Sequence, residues 1–122
     1  MVMFLMMLGI GSVASAHHSA VASYEADQSL EIKGTVVQLA WRNPHCYLYI
    51  DVKEGPFKAR TYTVELGSPS VMIESGWAKD LLKPGDTVAI EVHPSRIGAA
   101  TGLCRGCALT INGKVAKPRV MQ

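Results

Sequence analysis

HCYLYIDV, residues 45–52, alternates cleanly: Cys46, Leu48, Ile50 and Val52 fall on one side of an extended chain, and His45, Tyr47, Tyr49 and Asp51 on the other. Successive strand side chains point to opposite faces, so the first set predicts a core face and the second an outer face. Asn43-Pro44 breaks the chain before this strand, and KEGPFK at 53–58 follows it as a hairpin loop with Gly55-Pro56 at its turn. Upstream, Glu31 to Trp41 (EIKGTVVQLAW) reads as a long first strand, with Gly34 or the Val36-Val37 pair as a bulge or bend. Downstream, Ala59 to Leu66 returns as a third strand, which makes a three-stranded meander.

Beyond the meander, Gly67-Ser68-Pro69 predicts a short helix capped by Ser68 and starting at Pro69, with Gly76 ending it in the left-handed conformation. Lys83-Pro84-Gly85-Asp86 carries the Pro-Gly pair of a type II turn, and Thr87 to His93 alternates again with Val88, Ile90 and Val92 inward. A fifth strand spans about Leu103 to Ile111, ahead of an Asn112-Gly113 turn. Three strands, a helix and two more strands, with a long bent first strand, predict a mostly β fold. Its architecture is a small five-stranded OB-like barrel with one short helix between strands 3 and 4. Trp41 and Trp77 read as core residues or barrel-end plugs before they read as ligand platforms.

The first sixteen residues, MVMFLMMLGIGSVASA, are an apolar run ending in Ala14-Ser15-Ala16, the small-x-small pattern of a signal-peptide cleavage site. The run is too short for a membrane span. No Lys or Arg precedes Lys33, so the usual basic n-region is missing, which fits a start codon assigned a few residues late. The expectation is a signal peptide at 1–16 and a single domain at 17–122, periplasmic or secreted and soluble once cut. Twelve Lys and Arg against ten Asp and Glu leave a net charge of +2, scattered along the chain, which argues against a nucleic-acid binder. In an oxidising compartment Cys46, Cys104 and Cys107 allow one disulfide and one leftover thiol.

On Ala16-His17-His18-Ser19, Lys33-Gly34-Thr35-Val36, Trp41-Arg42-Asn43-Pro44-His45, Gly67-Ser68-Pro69, Gly76-Trp77 and Leu82-Lys83-Pro84-Gly85-Asp86, the chain resembles domain-of-unknown-function family 6152. These are small exported bacterial proteins. The resemblance implies export and a small β-barrel, and brings no established activity with it. Cys104-Arg105-Gly106-Cys107 departs from the family pattern, which has small or polar residues there.

Cleavage after Ala16 would make His17 the first residue, and an N-terminal histidine offers one metal both its α-amine and a ring nitrogen. A third nitrogen, from another imidazole, completes a planar set suited to Cu(II). His45, beside the Asn43-Pro44 break, is the preferred third donor, His18 a competing or auxiliary one, and His93 a weaker candidate at a strand end. The competing reading is that these histidines are simply solvated. A second function class is an interaction module without metal, binding a protein, peptide or glycan through Tyr47 and Tyr49, with Trp41 nearby. There the competing reading is that aromatics are good strand residues.

Cys104 and Cys107 have CxxC spacing but lack the helix N-terminus of a redox motif and a second CxxC for zinc. They read as a plain disulfide, which requires a turn or bulge at Arg105-Gly106, or as small-residue packing. Cys46 reads as a buried free thiol. No paired carboxylates, Ser-His-Asp set or phosphate loop stands out, so no enzyme activity is predicted.

Overall fold

A computed structural model describes residues 22–116, and seven strands and one α-helix are named within them. The strands are β1 (Leu30–Ala40), β2 (Tyr47–Val52), β3 (Thr61–Glu65), β4 (Thr87–Pro94), β5 (Thr101–Leu103), β6 (Leu109–Ile111) and β7 (Lys114–Ala116), and the helix is α1 (Pro69–Glu74). β1, β2 and β3 form the antiparallel meander. β5 then runs parallel to β3 and antiparallel to β4, and β4 pairs back onto β1. The circuit β1-β2-β3-β5-β4-β1 is a closed five-stranded barrel with α1 between β3 and β4, as the alternation predicts.

The inward set is the expected one. Cys46, Leu48, Ile50, Val64, Val88, Ile90 and Val92 are buried in one cluster, with Tyr62 among them. Burial pushes the Tyr62 phenol up to about 12, and its hydroxyl donates to the Thr101 carbonyl at 2.8 Å. Met72 of α1, Trp77 and Leu82 join the same cluster, so Trp77 is a core residue; Trp41 is partly buried and packs against it. Ser68 caps α1, its hydroxyl accepting from the Val71 amide at 3.4 Å, and Gly76 follows in the left-handed region.

The β1 bulge is at Val37: Val36 pairs with Ile50 but Gln38 with Tyr49, so one residue is extra. That bends β1 far enough to pair with β2 at one end and β4 at the other. Gly34 has a different role. It pairs with both Val52 and Val88, and a Cβ there would run into the Asp51 carbonyl oxygen.

The fifth strand differs from the expectation of one run from Leu103 to Ile111. It is broken into β5 and β6, both on the same side of β4, and between His93↔Leu103 and Ile90↔Leu109 the pairing slips by three residues. The intervening residues loop out and are closed by the Cys104–Cys107 disulfide, with Gly106 at φ 59°. A disulfide joins residues through space, so strand alternation alone does not register it. Cys46 is the free, buried thiol. After the Asn112-Gly113 turn, where both residues have positive φ, β7 returns along β6.

The polar segment ahead of β1 forms a strap across the outside of the barrel. Tyr24 bridges to Ser95, the Glu25 amide donates to the Pro94 carbonyl at 2.9 Å, and the Arg96 amide donates to the Ser23 carbonyl at 3.0 Å. An Arg96–Glu25 ion pair at 3.0 Å and a His93 Nδ1–Gln28 carbonyl contact at 3.0 Å hold it further.

Candidate functional site

Following the strand registers across the outer face gives one row: Tyr47 of β2 opposite Glu65 of β3, Glu65 opposite Leu103 of β5, and Leu103 opposite His93 of β4. Glu65 is the centre of this row. Its side chain is only 13% exposed, and His45 Nδ1 lies 2.9 Å from Oε1. The Tyr24 hydroxyl of the strap donates to Oε2 at 2.8 Å. A buried carboxylate is costly unless its oxygens are matched by donors, and here each oxygen has one.

That contact assigns the imidazole its roles. A carboxylate only accepts, so Nδ1 carries the hydrogen and, in the neutral ring, Nε2 keeps a free lone pair. The backbone on either side is pinned: the Cys46 amide donates to the Gly67 carbonyl at 2.8 Å, and the Leu66 amide to the Cys46 carbonyl at 2.9 Å. Glu65 is fixed likewise, because its carbonyl accepts from the Cys104 amide at 2.9 Å. His45 is therefore an oriented, partly exposed imidazole, its side chain 38% accessible.

The phenols around Glu65 feel its charge. Burial, and then the Glu65 carboxylate, push Tyr24 far above the ordinary phenol range. Tyr47 is raised by the same two causes in the same order. Beside them the Arg42 guanidinium lies 5.2 Å from the centre of the Tyr47 ring, and its Nη2 donates to the Tyr49 hydroxyl at 3.5 Å. Farther along β2, Asp51 accepts from the Thr61 hydroxyl at 3.0 Å.

Of the histidines named from the sequence, His45 is on Glu65, His93 is held by the Gln28 carbonyl, and His17 and His18 lie outside the described residues. Among the described residues no three His, Cys, Asp or Glu side chains are grouped so as to hold a metal ion. Tyr47, Tyr49 and Arg42 do share one surface, whereas Trp41 packs against the core. Glu65 and Tyr24 escaped the sequence reading. Glu65 was recoverable as an outward position on the third strand; Tyr24, amid polar residues, carried no periodic signal.

A closed five-stranded barrel with a helix after its third strand and a polar cluster on its outer wall places the chain among small OB-type β-barrel proteins. It belongs to a family of unknown function, DUF6152, whose model matches residues 6–105. The match ends inside the disulfide loop, ahead of Cys107. No curated protein matches the chain. Among the described residues no helix is long and apolar enough to cross a membrane.

Proposed function

We propose that the chain is exported, cut after Ala16, and binds a Cu(II) ion through the α-amine and ring nitrogen of His17 together with Nε2 of His45, with His18 as an auxiliary donor. The observation that carries this reading is the His45 Nδ1–Glu65 contact at 2.9 Å. A metal-binding histidine characteristically gives its other ring nitrogen to a carboxylate, which fixes the tautomer and makes the free nitrogen a better donor.

The strap supplies the second support. Tyr24 is bonded to the carboxylate that orients His45, and His17 precedes Tyr24 by seven residues. That length of chain spans at most about 25 Å, ample to bring an N-terminal histidine back to the imidazole. An amine and imidazoles suit Cu(II), because nitrogen donors in a planar set match its preferred geometry. The ion's contribution would be its affinity for deprotonated nitrogen, so binding would release protons at acid pH.

A second reading, an interaction module using the outer face of β2, is supported by the Arg42 guanidinium resting on Tyr47 and bonded to Tyr49. One experiment separates the two. Protein recovered from the periplasm is sized by intact mass, and its Cu(II) affinity is measured alongside variants. The copper reading expects a mass beginning at His17 and a sharp loss of affinity in His17→Ala and His45→Ala. It expects about a tenfold loss in Glu65→Gln and none in Tyr47→Ala. Cleavage at another position, or undiminished binding in His17→Ala, overturns it.

A further inference from the structure

Tyr24 also borders a second feature. A shallow cavity of about 100 Å³ opens between the strap and the barrel, lined by Tyr24, Ala26, His93, Leu103 and Arg105. Leu103 and Tyr24 are buried and give it an apolar floor. His93 forms a wall whose Nδ1 is already committed to the Gln28 carbonyl. Arg105 is the permanent cation at its edge.

Among the described residues Arg105 makes no ion pair, although Arg96 on the same face is neutralised by Glu25. Its backbone is held in place, because the disulfide closes the loop across Cys104 and Cys107 with Arg105 between them. With its backbone anchored, Arg105 brings an exposed guanidinium to the mouth of an apolar hollow, where capturing a partner orders that side chain and not the loop beneath it.

We propose that this cavity binds a monocarboxylate with a short branched aliphatic tail, the carboxylate on the Arg105 guanidinium and the tail against Leu103, Ala26 and the Tyr24 ring. The volume sets the scale: about 100 Å³ is less than the about 150 Å³ of an engineered cavity that holds benzene, so the hollow matches a short aliphatic tail better than an aromatic ring. The charge decides the head group. A guanidinium takes a carboxylate through two parallel N–H···O bonds, whereas a phosphate dianion would bring a second charge and its hydration against apolar walls with no second permanent cation among the lining residues to match. Two sources share this chemistry: a free short-chain acid, and the C-terminal valine of a peptide.

The test is a titration of the purified protein, followed by amide NMR shifts, with isobutyrate, with its neutral isostere isobutyramide, and with inorganic phosphate. Isobutyrate is expected to shift the amides of Tyr24, Ala26, Leu103 and Arg105, and the other two probes to leave them in place. A short peptide ending in valine, with a free or an amidated C terminus, distinguishes the sources: shifts from the free-carboxylate form at lower concentration than isobutyrate assign a peptide end, and the reverse order assigns a free acid. Arg105→Gln, at an exposed position, is expected to weaken binding at least about tenfold, the loss that follows from removing a charged hydrogen-bond pair. Ala26→Phe, also exposed, is expected to fill the cavity and abolish binding without loss of fold. Equal shifts from isobutyrate and isobutyramide, undiminished binding by Arg105→Gln, or shifts confined to other residues would overturn the proposal. Copper takes no part in any arm.

Discussion

The two sides of the stretch that runs from His45 through β2 alternate along one short segment of chain and obey different rules. On the inner side Cys46, Leu48 and Ile50 are fully buried and Val52 nearly so, in one cluster with residues of β1, β3 and β4. On the outer side each polar group depends on one particular partner: His45 on Glu65, Tyr49 on Arg42, Asp51 on Thr61. Burial is non-directional and roughly additive in area, so almost any apolar residue of suitable size serves the inner face. Hydrogen bonds and ion pairs are directional, and a single substitution removes the whole interaction.

The contrast is broken most forcefully from the inside. Leu48→Ala is expected to cost about 2–5 kcal/mol, the range for deleting a fully buried leucine side chain, while Tyr49→Ala on the opposite face should stay within about 1 kcal/mol. Urea denaturation of the two variants measures the difference. Comparable costs would mean that the outer face also carries the fold.

Removing the disulfide comes next. Cys104 and Cys107 are three apart in sequence, so the closed loop is short, and Cys104→Ser with Cys107→Ser together should destabilise by about 2 kcal/mol on the chain-entropy argument. The barrel should survive, since β5 still pairs with β3 and β4. A fall too small to measure would show that β5 and β6 hold the loop without the cross-link.

The smallest effect sharpens the outer face. Tyr24→Phe deletes only the hydroxyl on Glu65 and should cost about 1 kcal/mol, with faster hydrogen exchange at the Glu25 and Arg96 amides that fasten the strap. Alkali is the chemical counterpart. Tyr24 and Tyr62 are both raised above the ordinary phenol value, so their contribution is fully present below pH 10 and is lost as pH rises above it. The wild-type melting temperature should hold to about pH 9 and then decline, and in Tyr24→Phe the decline should be shallower. An identical decline in both would assign the alkaline loss to Tyr62 and other groups.

The same division explains what could be read from the amino acids in order. Period-two alternation located the core positions of β2, β3 and β4 because packing needs only the face, and Ser68, Gly76 and Asn112-Gly113 marked their turns because their chemistry is local. The CxxC spacing called for a turn at Arg105-Gly106 if Cys104 and Cys107 were joined, as they are, but alternation could not see that the fifth strand is split there into β5 and β6, nor that β7 follows the last turn, because both depend on what pairs with them in space. The outer cluster lay further out of reach. Tyr24 and Glu65 are 41 residues apart, and His93 and Gln28 are 65 apart. His45 was identifiable from its place beside Asn43-Pro44, while the carboxylate that orients it became visible only once β2 and β3 were in register.

The central claim, a copper ion held by the amine of His17 and the oriented imidazole of His45, is tested most directly by one added residue. Cu(II) affinity is measured on protein that begins at His17 and on the same protein with a single alanine ahead of it. The extension keeps every imidazole and the Glu65 contact and removes only the amine of residue 17 from the chelate. The account predicts that the extended protein binds Cu(II) at least about tenfold more weakly, as expected when a direct metal ligand is lost. Equal affinity in the two proteins would contradict it, and would leave the Arg42, Tyr47 and Tyr49 surface as the better account of what this barrel does.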